Sequence, residues 1–192
     1  MTGQAPSKGP ARPLWSPLTL VATATVLVFA GQLVIESRAL VPEAPLGQVS
    51  LQFATDPVAA DRVVSAWSRE GVTHMAAAGV GFDYLLLLAY ATTLVVAGIW
   101  LSRRSPTKRW HRAGRVVTVS GVAAAMVDAI ENALLLAEID GEFGLAPLVG
   151  ALASTKFGLI GLGLVLLAGG AWAIRPGTTE HPSDSPVTKE TA

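Results

Sequence analysis

Residues 127–135, VDAIENALL, set two carboxylates and an amide, Asp128, Glu131 and Asn132, inside a run that is otherwise as apolar as a bilayer interior. On a helix, Glu131 and Asn132 stand three and four residues beyond Asp128, so the three side chains leave one face as a stripe. A charged group at the centre of a membrane helix costs roughly 2.5–3.5 kcal/mol on insertion scales, so such groups turn inward, pair, or line water. The stretch therefore predicts a membrane-crossing helix whose polar side meets other helices. The opposite side, through Ala123, Ala124, Val127 and Leu134, is read as facing lipid or a close neighbour.

The rest of the chain agrees with that class. Its 192 residues are 51% hydrophobic and 15% charged, too apolar for an ordinary soluble domain and far from the disordered class. Fourteen basic residues against fourteen acidic ones give zero formal charge, which offers no electrostatic case for nucleic acid. The absence of cysteine removes disulfides, thiol nucleophiles, CxxC redox chemistry and thiolate metal sites.

A transmembrane helix needs about 20 mainly apolar residues. Residues 17–36, 79–101, 116–137 and 147–174 qualify, so the fold expected is all-α: an integral membrane four-helix bundle occupying 17–174. The basic, Pro- and Gly-rich residues 1–16 read as a cytoplasmic tail leading into an uncleaved helix, and residues 175–192 as a disordered cytoplasmic tail. Loop charge sets orientation, because Lys and Arg resist translocation. RRSPTKRWHRAGR carries Arg103, Arg104, Lys108, Arg109, Arg112 and Arg115 without an acid, whereas EIDGEFG carries Glu138, Asp140 and Glu142 without a base. Both termini are thus expected in the cytoplasm of a cell whose plasma membrane the chain crosses. Trp15, Trp100 and Trp172 fall at the matching interface, and the basic segment reads as an anchor on anionic membrane lipid rather than a nucleic-acid surface.

Between the first two spans lies a long outer connection. Val49, Leu51 and Phe53 alternate like a short extended segment; Asp56 followed by Pro57 then reads as the N-cap and first turn of a helix over 57–70, ended near Gly71. Val63, Val64 and Trp67 share one side of that helix, with Asp61, Arg62, Arg69 and Glu70 mostly on the other. An extracytoplasmic amphipathic helix follows, either over the mouth of the bundle or resting on lipid.

Depth identifies partners for the opening stripe. At about 1.5 Å of rise per residue, Asp128 and Lys156 both lie about 14 Å below the outer boundary, Glu131 about 9 Å and Asp83 about 6 Å. The last two spans are joined by a short turn and must run antiparallel, so Lys156 can reach Asp128 or Glu131; snorkelling to the interface is the competing reading of Lys156. Tyr90 lies seven residues from Asp83 on nearly the same face, and Gln32 of the first span sits at a similar level. The expected site is an acid-rich pocket in the outer half of the bundle built from Gln32, Asp83, Tyr90, Asp128, Glu131, Asn132 and Lys156. Three acids face one base, so either a carboxyl holds a proton or a cation visits. The plain structural alternative is that these side chains are interhelical glue, at about 0.6 kcal/mol per bond.

Other chemistries drop out. His74, His111 and His181 are too dispersed for a metal or haem site, so neither metal nor cofactor is expected. Ser154 and Lys156 are two apart on a helix and point in different directions, unlike a Ser-Lys dyad. Gly150, Ser154 and Gly158, continuing to Gly161 and Gly163, read as a close-packing face. Acid/base catalysis on a lipophilic molecule stays open, with no catalytic residue assigned. Transport would call for a homo-oligomer, because neither inverted repeats nor broken helices are evident.

Taken together, LQFATDPVAADRVVSAW, FDYLLLLAY, VDAIENALLL and STKFGL resemble a group of four-helix bacterial inner-membrane proteins, over nearly all of residues 17–174. That group carries no established activity. A looser likeness is to the four-helix sterol isomerase and sigma-2 receptor group, which uses intramembrane acids in a lipophilic cavity; it implies a hydrophobic ligand and no residue roles. The function expected is binding of a small amphipathic or lipid-like molecule, or of a proton or cation, with a structural or accessory subunit as the alternative.

Overall fold

The computed structural model of the chain describes residues 15–105 and 107–174. It is all-helical, and four of its helices are long and apolar enough to cross a membrane: α1 (Trp15–Glu36), α4 (Thr73–Arg104), α5 (Lys108–Ile139) and α6 (Ala146–Ala173). Two shorter helices, α2 (Gln48–Gln52) and α3 (Pro57–Arg69), lie between α1 and α4. The two expected tails fall almost wholly outside the described residues.

The central pair is α4 with α5, consecutive antiparallel helices; α6 packs on α5, and α1 packs on α4. Helices α4 and α5 run past their apolar windows, because those windows measure the thickness of hydrocarbon and not the length of a helix. Most of the basic segment is consequently the last turn of α4 and the first two turns of α5 rather than a loop. Along α5 the buried side chains recur at Val117, Ser120, Ala124, Asp128, Glu131, Asn132, Leu135 and Glu138, a spacing that keeps one face inward. Val119, Val122, Met126 and Ile130 are exposed on the other side. Ala124 thus belongs to the acid face, four residues before Asp128, and not to the opposite one.

One end of the bundle is closed by α2 and α3. The Asp56 carboxylate accepts from the Ala59 N–H at 2.9 Å, Pro57 opens the first turn, and Gly71 ends the helix at φ +70°, where a glycine is favoured. Val63, Val64 and Trp67 are buried, and the Trp67 indole N–H donates to the Ala39 carbonyl at 2.8 Å. They form one apolar cluster with Val80, Leu135 and Val149, so α3 packs on the end of the bundle rather than lying apart from it.

Two expectations fail locally. The stretch around Val49, Leu51 and Phe53 is helical, not extended. Its alternation also fits a helical turn in which Gln48, Leu51 and Gln52 point inward, and that turn lets Gln48 donate to Asn132 of the polar stripe. The second failure concerns α6, where Ser154 and Gly158 face outward and nothing lies within 4 Å of a Cβ placed on Gly158 or Gly161. Gly163 of the same series does pack closely, with Leu94 Cδ2 3.3 Å from a Cβ placed there, and a tighter approach occurs at Gly98 and Gly114, where a Cβ on either would come within 2.6 and 2.5 Å of the other's carbonyl oxygen.

Candidate functional site

Helix rotation brings the polar side chains together. Along α6 the inward positions are Ala146, Val149, Ala153, Lys156, Gly163 and Gly170, which aims Lys156 at the acid face of α5. Its ammonium donates to Asp128 Oδ1 at 2.8 Å and to Glu131 Oε1 at 3.1 Å, and Glu131 Oε2 lies 3.0 Å away, within ion-pair range. All three residues are buried, with Lys156 4%, Asp128 2% and Glu131 0% exposed. Snorkelling is therefore not what Lys156 does: its head is held inside. Tyr90 on α4 closes the group by donating its hydroxyl to Asp128 Oδ2 at 2.9 Å. The hydroxyl of Tyr84 donates to the Ala129 carbonyl at 3.2 Å, a further tie between α4 and α5.

A second chain of contacts runs beside the first. Asn132 Nδ2 donates to Asp83 Oδ2 at 3.0 Å and Gln48 Nε2 to Asn132 Oδ1 at 3.4 Å. Gln32 Nε2 donates to Glu36 Oε1 at 2.7 Å and to the Gly79 carbonyl at 3.2 Å, with Gln48 Oε1 at a long 3.5 Å. Every partner of that nitrogen is an acceptor, which fixes the orientation of the amide. Its oxygen is buried without a hydrogen-bond partner, as is Gln52 Oε1.

The seven residues singled out from the sequence thus meet at one end of the bundle, from α1, α4, α5 and α6. They are not equivalent. Gln32, Asp83, Tyr90, Asp128 and Lys156 line a cavity of about 420 Å³, within the usual range of small-molecule sites. Glu131 and Asn132 stand behind that wall, each 0% exposed, and hold Lys156 and Asp83 in place. Glu36, Gln48 and Gln52 also border it, and its apolar walls include Phe29, Leu33, Leu86 and Ile160.

Three participants escape the sequence reading. Gln48 and Gln52 come from the stretch taken as extended, yet their four-residue spacing around Leu51 is the pattern of a helical face. Glu138, taken as a turn acid, is the last buried residue of α5; it is 0% exposed and neither carboxyl oxygen has a hydrogen-bond partner among the described residues. Its three-residue step from Leu135 was the available signal.

Chemically, the site offers more acceptors than donors. Buried Asp83, Asp128 and Glu131 face the one ammonium of Lys156, so electroneutrality in this low dielectric calls for a proton or a cationic guest. The acid cluster and its cavity could also protonate and deprotonate a lipophilic molecule, since Asp83 and Asp128 both line the space such a molecule would fill. No protein-family model, curated protein sequence or solved structure matches this chain. What the site does must therefore be judged from its geometry.

Proposed function

We propose that the chain is a multi-pass plasma-membrane protein whose polar cluster forms a binding site for a small amphipathic molecule. In this reading both termini are cytoplasmic, the end covered by α2 and α3 faces outward, and charge balance at the site is completed by a proton, a cation or the ligand's own head. One observation carries the proposal: charged and amide side chains from five separate helices border a cavity that also carries apolar side chains such as Phe29, Leu33, Leu86 and Ile160. Interhelical glue needs the contacts and not the space.

A second reading, a structural or accessory membrane subunit, draws on the saturation of Lys156 and Asp128 by each other, Glu131 and Tyr90. The test is native mass spectrometry of gently purified protein with identification of whatever stays bound. One specific retained amphiphile is the expected result; bulk phospholipid alone would favour the accessory role.

A further inference from the structure

One side of the cavity is closed by no helix. Among the described residues α1 packs along α4 and forms no packed interface with α6, and Gln32 is the one buried side chain that α1 contributes. Phe29 and Leu33 on α1 and Phe157 and Ile160 on α6 line this same cavity. Phe29, Leu33 and Phe157 are 50%, 53% and 47% exposed, as side chains flanking an opening are. Because α1 is held by α4 and α6 by α5, the gap between α1 and α6 lies on the flank of the bundle. Phe53, the residue that follows α2, stacks on Phe157 with ring centroids 6.2 Å apart.

We propose that a single-chain amphiphile enters this gap from within the bilayer and that its head is an amine. The proposal rests on the ligand reading above and adds a route and a head-group class. The head lies beside Asp83 and Glu36, whose carboxylates border the cavity, so the guest must donate there. An anionic head finds the reverse. The Lys156 ammonium is already balanced by two carboxylates, and the Tyr90 hydroxyl is donated to Asp128, so an anionic head meets an excess of acid on this wall. The tail lies toward Thr25 and Phe29, and from Glu36 to Thr25 the α1 wall runs about 16 Å at 1.5 Å per residue. A long alkyl chain fits that length.

The experiment uses the full chain in phosphatidylcholine nanodiscs, with protein-free discs as the blank, and three probes of equal chain: dodecylamine, dodecanol and dodecanoic acid. Charge-assisted hydrogen bonds to the amine predict binding about tenfold tighter than the alcohol, with the acid weakest. A dodecylamine carrying a photoreactive diazirine near its chain end should label α1 and α6 around Phe29 and Ile160. Asp83→Asn, which keeps the shape and removes a charge, should bring the amine-to-alcohol ratio toward one. Should that variant fold poorly, Glu36→Gln, which removes the other carboxylate bordering the cavity, should lower the ratio in the same direction. Equal binding of amine, alcohol and acid would overturn the head assignment while leaving an amphiphile site. Labelling confined to the exposed face of α5 around Met126 and Ile130 would overturn the route. Binding of none of the three would overturn both, together with the ligand reading.

Discussion

The two ends of the bundle hold their helices together by opposite means. Toward α2 and α3, long polar side chains meet between the helices: Lys156 with Asp128 and Glu131, Asn132 with Asp83, Gln32 with Glu36 and Gly79. Toward the α4–α5 turn, backbones touch. A Cβ on Gly98 would lie 2.6 Å from the Gly114 carbonyl oxygen, one on Gly121 2.7 Å from Leu94 Cβ, and one on Gly170 2.5 Å from Leu101 Cδ1. Glycine contacts leave no room between helices, whereas lysine, glutamate and glutamine hold them apart. That difference explains why the polar cavity sits at one end.

The contrast breaks most visibly at Lys156. Lys156→Ala leaves two buried carboxylates without their counter-charge and is expected to lower stability by about 3–5 kcal/mol in a detergent-micelle unfolding titration. Removing all three charges at once, as Lys156→Met with Asp128→Asn and Glu131→Gln, should recover most of that loss, since an uncompensated charge costs more than an absent pair. If Lys156→Ala unfolds at the wild-type midpoint, the ion-paired triad is not what holds this end.

At the opposite end, Gly98→Ala must push α5 away from α4, because the neighbour it meets is backbone and cannot rotate aside. A loss of about 1–3 kcal/mol is expected in the same titration. Amphiphile binding at the far cavity should be unchanged, and a parallel drop in binding would show that the two ends are not independent.

Smaller changes sharpen the account of the polar end. Tyr90→Phe deletes the hydroxyl that donates to Asp128 Oδ2 and should cost about 1–2 kcal/mol, visible as a lower thermal midpoint. Glu138→Met should act in the other direction, raising the thermal midpoint by the equivalent of about 1 kcal/mol or less. It replaces a buried carboxyl that has no hydrogen-bond partner with an apolar side chain of similar length. A lower midpoint would mean that Glu138 holds a bond not seen among these residues.

Particular residues show how far the sequence could be read. Lys156 could be matched to Asp128 because rise per residue is constant and a short turn forces α5 and α6 to run antiparallel, so depth alone chose the pair. The stripe of Asp128, Glu131 and Asn132 named the inward face of α5 for the same reason of fixed periodicity. The small-residue series on α6 misled because two demands compete for its rotation. Lys156 must point inward, and Ser154 and Gly158, two residues either side of it, are then carried outward. The Gly98 and Gly114 contact joins single positions on two helices, which no periodicity along one helix displays. Gln48 and Gln52 were hidden by the shortness of α2, since five residues satisfy a strand alternation and a helical turn alike. The burial of Glu138 depends on α3 and the α5–α6 turn covering the end of α5, a tertiary effect absent from the local sequence.

The most direct test is an experimental density map of the wild-type chain crystallised from a lipidic mesophase. The expected map shows α1 standing off α6, with elongated density running from Phe29 and Phe157 to a head beside Asp83 and Glu36. Helix α1 closed onto α6, with Gln32, Asp83 and Lys156 bonded only to one another and no space left between them, would contradict the binding site at its root.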